Sequence, residues 1–244
     1  MTRAVLQGWS AWATGREDEA AWRSWAEAPE ALARDGRPEA GFLPPMLRRR
    51  CSALARIMLT VAFECAPPAI RDEVRTVFAS RHGNINESID LLMRLARHQP
   101  LSPTRFSHSV HNAQAGLYSI AAENRRPSSS ISAQEDTFAC GYLEALSHLA
   151  REPEQPVLLV VADVPLAETF AAMVEEPTAS YGVALMLASR GPGPELDFAC
   201  GSEDGDASPL AWPDAAEFLR WLLGDEPRLQ LGAGRRRWSW TRAH

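Results

Sequence analysis

The sequence predicts an α/β fold built on a layered sheet, and three observations carry that prediction. Val157–Ala162 (VLLVVA) and Tyr181–Ser189 (YGVALMLAS) are apolar runs of the kind found in strands buried on both faces. Pro44–Cys65 repeats apolar side chains at helical spacing. Strand-like and helix-like segments alternate along the chain, which is the pattern of helices layered on a sheet.

Taken in order, Ala4–Trp12 (AVLQGWSAW) reads as the first strand. Thr14–Gly41 is broken by Pro29 and Pro38, so a loop with one short helix is expected. Pro44–Cys65 (PPMLRRRCSALARIMLTVAFEC) is expected as one amphipathic helix, its prolines at the start where a missing N–H costs nothing. Met46, Leu47, Leu54, Ile57, Met58 and Val61 share one face of it and should meet the core. Val74–Ser80 is a short strand ending at Arg81-His82-Gly83. Ile85–Arg97 is a second helix, with Asn84 as its N-cap and Pro100 beyond its end. Pro103–Val110 reads as an approach loop, Asn112–Asn124 as a helix of small residues, and Ser128–Ala133 as a strand. The next helix is Asp136–Leu149. After Arg190 the composition becomes acidic and turn-rich, with a strand at Leu196–Cys200 and a helix at Ala211–Leu223. Arg228–Trp240 is expected to hold one or two edge strands. The whole, residues 1–244, is expected as a single domain with core 4–189 and a divergent segment 190–244.

Composition narrows the function. Apolar residues make up 45% of the chain, enough for a sizeable core. A net charge of -6, with both signs mixed, argues against a nucleic-acid partner. Arg48–Arg50 and Arg235–Arg237 are the basic exceptions. Successive helical positions point in different directions, so the first run reads as solvated surface. The four cysteines show no C-x-x-C spacing, and no spacing supports a metal site. MTRAVLQGWSAW lacks the apolar core of a signal peptide, and no run approaches the ~20 residues that span a bilayer. A reduced, cytoplasmic protein without a membrane span is expected.

The stretch SSSISAQEDTFACGYLEAL runs from a strand into a helix, with a polar cluster at the turn and Cys140 just beyond. A working thiol needs a base or cation beside it and donors for an oxyanion. His148 lies about 12 Å further along the same helix, too far for a hydrogen bond. His108 and His111 are the remaining candidate bases. Cys140 sits inside the helix rather than at its first turn, which favours a structural cysteine over a nucleophile. Asp136 is placed to cap the helix. Gln134 and Glu135 stand where a strand delivers side chains to a turn, a common place for a reacting group. No phosphate-binding, dinucleotide-binding, zinc-protease or G-x-S-x-G motif is present.

FSHSVHNAQAGLYSI, RRPSSSISA and QEDTFACGYLEAL follow one another as a small-residue helix, a Pro-Ser strand and a helix opening at a candidate site. In that order, Phe106–Leu146 resembles part of a ketoacyl synthase of the thiolase-like fold. AVLQGW, the long helix, VFASRHG, VLLVVAD and YGVALMLAS resemble its neighbouring elements, so the likeness spans about Ala4–Ser189. It implies a thiolase-like layered fold truncated to roughly its N-terminal half. Two departures bear on function. Counted forward from Pro127, the nucleophile column falls on Glu135; counted back from Leu143-Glu144-Ala145, it falls near Ala139. The family's two catalytic histidines belong to a second half, and here only His244 follows His148. The resemblance therefore implies no catalytic residue, with Glu135, Asp136 and Phe138 at a vestigial site and Phe138 as a plug.

Within the family, the chain is similar to short chain-length-factor-like subunits of bacterial aryl polyene pathways. That implies a heterodimer with a full-length ketoacyl synthase and substrates carried on an acyl carrier protein. The carrier's phosphopantetheine belongs to the partner's substrate, and no cofactor or metal is implied for this chain. In this fold the strand before the nucleophile column pairs across the dimer. Ser128, Ser130, Ile131 and Ser132 are thus expected at the interface, with His111, Asn112 and Gly116 of the preceding helix. Two alternatives stand beside this reading. One is a small acyltransferase or starter-loading ketosynthase using Cys140; the other is a structural homodimer.

Overall fold

The computed structural model describes residues 2–171, 179–202, 211–232 and 236–243. One eight-stranded sheet runs through it. Its strands in chain order are β1 (Thr2–Ala13), β2 (Arg75–Ala79), β3 (Ser128–Ile131), β4 (Val157–Asp163), β5 (Tyr181–Ala188), β6 (Glu195–Ser202), β7 (Arg228–Leu231) and β8 (Arg236–Arg242). They lie in the order β3-β2-β4-β5-β1-β6-β8-β7. β3, β2 and β4 are parallel; every pairing from β4 to β7 is antiparallel.

Helices cover both faces. They are α1 (Glu19–Glu27), α2 (Pro45–Arg48), α3 (Ala53–Cys65), α4 (Ile85–Ala96), α5 (Pro103–Ser107), α6 (Ala113–Ala121), α7 (Thr137–Arg151), α8 (Glu168–Ala171) and α9 (Asp214–Leu223). The period of two along β4 shows why two layers are needed. Leu158, Val160 and Ala162 pack with Leu54, Ile57, Met58 and Val61 of α3 and with Tyr118 of α6. Val157, Leu159 and Val161 pack with Tyr142, Leu146 and Leu149 of α7 and with Phe218 and Trp221 of α9. A strand with both faces covered has no solvent side, hence the continuous apolar run. α3 comes very close to β5. A Cβ added to Gly182 would sit 2.6 Å from Ile57 Cγ2, so only glycine admits this approach.

Four expectations are corrected. Pro44–Cys65 is two helices, because Ser52 starts a new one: its Oγ accepts from Ala55 N–H at 3.1 Å, a local cap that competes with continuing the first helix. The break turns Met46 out to solvent instead of into the core. Asn84 precedes α4 without capping it. Its amide donates to the His108 carbonyl at 2.6 Å and accepts from Ser52 Oγ at 2.9 Å, binding three segments together. Pro103–Val110 is partly helical: proline opens α5, and Ser102 Oγ accepts from Arg105 N–H at 3.4 Å. Lastly, β8 is an inner strand between β6 and β7, so of the tail only β7 forms an edge. The C-terminal strands extend the sheet instead of lying over it. Arg235 of the second basic run and His244 lie outside the described residues.

Candidate functional site

Parallel strands deliver their carboxyl ends to one edge of a sheet, where turns can gather polar groups. Here β2, β3 and β4 end side by side. Asp163, the last residue of β4, gathers the turn after β2. Its Oδ1 accepts from Ser80 Oγ at 2.7 Å and from His82 N–H at 3.4 Å, and its Oδ2 accepts from Arg81 N–H at 3.3 Å. Ser80 Oγ in turn accepts from Gly83 N–H at 2.9 Å. Gly83 adopts φ +55°, and a Cβ there would meet His111 Cδ2 at 2.8 Å, so both conformation and space require glycine. His111 Nε2 donates to the Ser80 carbonyl at 2.9 Å.

After β3 the chain enters a 3₁₀ turn, Gln134–Asp136, that leads directly into α7. Gln134 takes φ 52°, a left-handed conformation that costs a non-glycine residue about 1 kcal/mol. Glu135 projects from this turn, and its Oε1 accepts from Arg81 Nη2 at 2.8 Å. Ser132 Oγ donates to the Arg81 carbonyl at 2.8 Å, tying β3 to the same turn. Of the two positions that the resemblance offers for a nucleophile, Glu135 is thus an ion-paired carboxylate and Ala139 a fully buried alanine. Burial, followed by the neighbouring Arg81 charge, pushes the His82 imidazole below its usual pKa.

Asp136 does not cap α7. It is buried, its Oδ1 accepts from Trp238 Nε1 at 2.7 Å, and its Oδ2 pairs with Arg236 Nη1 at 3.0 Å. The tight turn aims this side chain at β8. Thr137 serves the local backbone in its place, donating to the Gln134 carbonyl at 2.7 Å and accepting from Ala133 N–H at 3.0 Å. Phe138 is 2% exposed. Its ring stacks on Trp240 at 5.4 Å and meets Phe218 at 5.1 Å, inside the aromatic core under α7 and α9.

Cys140 is half-buried, one residue past fully buried Ala139. Burial and the Asp136 charge push its thiol upward against an opposing pull from Arg236, so the reactive thiolate is disfavoured. Neither expected base approaches it. His108 Nδ1 is 3.0 Å from the Arg50 carbonyl, and His111 is spent on Ser80. Among the described residues, no histidine hydrogen-bonds Cys140, and no group of three His, Cys, Asp or Glu side chains is arranged to hold a metal. No described helix is long and apolar enough to cross a membrane.

The expected interface residues fall at one margin of the molecule. Among the described strands, β3 is an edge strand, hydrogen-bonded to β2 alone. Ser128 on it and Ser132 just past its end are exposed; Ser130 and Ile131 are half-buried. On the neighbouring helix, Asn112 and Gly116 are exposed, and nothing lies within 4 Å of a Cβ placed on Gly116. His111 is half-buried, its ring facing the turn after β2.

A larger feature escaped the sequence reading. α4 and α5 form an arm, joined by Arg105 to Glu87 at 2.8 Å and to Asp90 at 2.6 Å. It leaves Leu92, Met93, Leu95, Leu101, Phe106 and Val110 exposed; Ile120 of α6 is exposed as well. The signal was present in IDLLMRLA: Leu91, Leu92, Met93 and Leu95 wrap most of the helix, more than one sheet-facing stripe needs. Large apolar side chains exposed together on one short helical segment are of the kind that a partner covers.

The family model described as beta-ketoacyl synthase, N-terminal domain, matches residues 22–241. One solved chain, from the ketosynthase (ApeO) in complex with its chain length factor (ApeC) of Xenorhabdus doucetiae, is 28% identical. Its TM-score is 0.85, and the match covers 99% of this chain and 100% of that one. The ishigamide ketosynthase/chain length factor matches at 15% identity and TM-score 0.63, over 84% of this chain and 68% of that chain. A beta-ketoacyl synthase from Burkholderia phymatum STM815 matches at 14% and 0.61, over 83% and 65%. At those identities the last two show the fold alone. No protein of curated function matches the sequence.

Proposed function

This chain belongs to the beta-ketoacyl synthase, N-terminal domain family, with its α/β thiolase-like fold, and we propose that it is the non-catalytic, chain-length-factor-like member of a ketosynthase pair. In this reading it binds and stabilises an active beta-ketoacyl carrier-protein synthase and helps set the length of a polyene product. The observation that carries the proposal is Glu135. At the strand-to-helix turn, where one count from the family resemblance puts a nucleophile, this chain holds a carboxylate bound to Arg81, and the other count falls near buried Ala139. Such a pair offers neither a thiolate nor free donors for a developing oxyanion. The whole-length likeness to one chain of a ketosynthase–chain length factor complex supports the same reading.

The surface supports a partner. An open strand edge presents unpaired backbone N–H and C=O groups, and the apolar arm leaves large side chains in water. Both features are relieved together by a second chain that adds to β3 and covers α4, α5 and α6. Acyl carrier protein then delivers substrate to the partner's thiol, and this chain needs no cofactor of its own.

Co-expression with a full-length ketosynthase of the same organism tests the proposal. The expected result is a one-to-one complex on size-exclusion chromatography that condenses carrier-bound acyl groups, while this chain alone does not. Two separate, individually active proteins would overturn it. The starter-loading alternative requires an acyl adduct on Cys140, whose upward-shifted thiol and lack of a base speak against it.

A further inference from the structure

We propose that the side of the molecule carrying α2, α4, α5 and α6 is an electrostatic docking face, and that the ketosynthase surface it meets is rich in carboxylates. The inference rests on the pairing proposed above and adds the chemistry of the partner's surface.

The observation is a segregation of charge. The chain carries 31 acidic residues among 244 and a net charge of -6. Residues 40–63 nevertheless hold four arginines, and residues 91–122 three arginines and three histidines, with no Asp or Glu in either stretch. The fold brings the two stretches together. α6 packs against α3. The Arg50 carbonyl lies 3.0 Å from His108 Nδ1, so the end of α2 stands against the end of α5. The two acids of α4 are already taken: Glu87 by Arg105 at 2.8 Å, and Asp90 by Arg105 at 2.6 Å and Arg94 at 2.7 Å. Arg49, Arg50 and Arg97 are exposed and form no ion pair among the described residues. Like charges gathered on one face repel, and a partner of opposite sign turns that cost into attraction.

Two features choose among anionic partners. Met46, Leu95 and Phe106 are exposed on the same elements. A nucleic acid, held through its phosphates, leaves such side chains in water. Beside α6 runs the open edge of β3. Its backbone N–H and C=O groups can be paired by a protein strand but not by lipid. An acidic protein surface meets the cations, the apolar side chains and the strand edge at once. Opposite charge steers encounter more than it tightens the final complex, so the signature of this face is kinetic.

Stopped-flow association of the full chain with its ketosynthase tests this. The on-rate should fall about tenfold or more between roughly 20 and roughly 500 mM sodium chloride, with the off-rate changed much less. Arg49→Glu, Arg50→Glu and Arg97→Glu combined should lower the low-salt on-rate about tenfold and flatten its salt dependence. The three Arg→Gln changes should act in the same direction but less. Arg228→Glu, on β7 at the far edge of the sheet, should leave the rate unchanged. A one-to-one complex whose on-rate ignores both salt and these reversals would overturn the docking face and leave the pairing intact. Failure to form any complex overturns the pairing, and this inference with it. Sedimentation of the free chain with phosphatidylglycerol vesicles, lost in the triple Glu variant while its ketosynthase on-rate holds, would assign the face to a lipid surface and also overturn the proposal.

Discussion

Stripping the apolar arm separates a partner surface from ordinary packing. Leu92, Leu95 and Phe106 are 64%, 57% and 68% exposed, so within this chain they have little packing left to lose. Burying a Leu or Phe side chain completely is worth about 1.5–3 kcal/mol. Roughly three-fifths of each remains to be buried, which gives about 1–2 kcal/mol apiece and ~4 kcal/mol for the three together. At 1.4 kcal/mol per decade, the triple variant Leu92→Ala, Leu95→Ala, Phe106→Ala should weaken the complex about a thousandfold. Each change should cost the isolated chain no more than about 0.5 kcal/mol, as surface substitutions do. Titration against an immobilised ketosynthase measures the first quantity, and chemical denaturation of the free chain the second. An affinity within threefold of wild type, with the fold intact, would refute the assignment of the arm to the interface.

Other outcomes follow from the site and core. Phe138→Ala should cost about 3–5 kcal/mol, because the ring fills a sealed aromatic cluster. Phe138→Ala also tests the plug, provided the reconstituted pair stays folded: it should make longer or broader products, and an unaltered product profile removes the idea. Asp136→Ala strands the Trp238 indole N–H and should cost about 2–3 kcal/mol in denaturant titrations, and Trp238→Phe less. His82 titrates below 6.5 in the folded chain. As pH falls, the unfolded chain takes up its proton first, so stability is complete above 6.5 and declines below it until the folded-state pKa is passed. His82→Gln should flatten that limb of the stability–pH curve. Burial pushes the Cys65 thiol up to about 12, so a thiol reagent should label exposed Cys200 in the native protein and reach Cys65 only on unfolding.

Much of this architecture is written in local patterns. β4 and β5 are legible because a strand covered on both faces must be apolar throughout, and α7 because Tyr142, Leu146 and Leu149 keep helical spacing. The exposed edge at β3 follows from the family order of elements, and the sheet places it there. What stayed hidden depends on contacts between distant residues. Ser52 ends one helix and starts another at a point that apolar spacing alone would bridge. Asp136 looks like a cap until Trp238 and Arg236, about a hundred residues on, claim its carboxylate. The Glu135–Arg81 pair joins two turns that only strand order makes neighbours. The arm's apolar residues stand in the sequence, but periodicity alone does not show that Leu92, Met93 and Leu95 face away from the sheet.

The central claim is that this chain carries no acyl group and its partner does. Intact-mass spectrometry of the co-purified complex, after incubation with an acyl-loaded carrier protein, measures that directly. The account predicts an acyl mass increment on the ketosynthase subunit and an unchanged mass for this chain. An increment on this chain, mapped to Cys140, would contradict it.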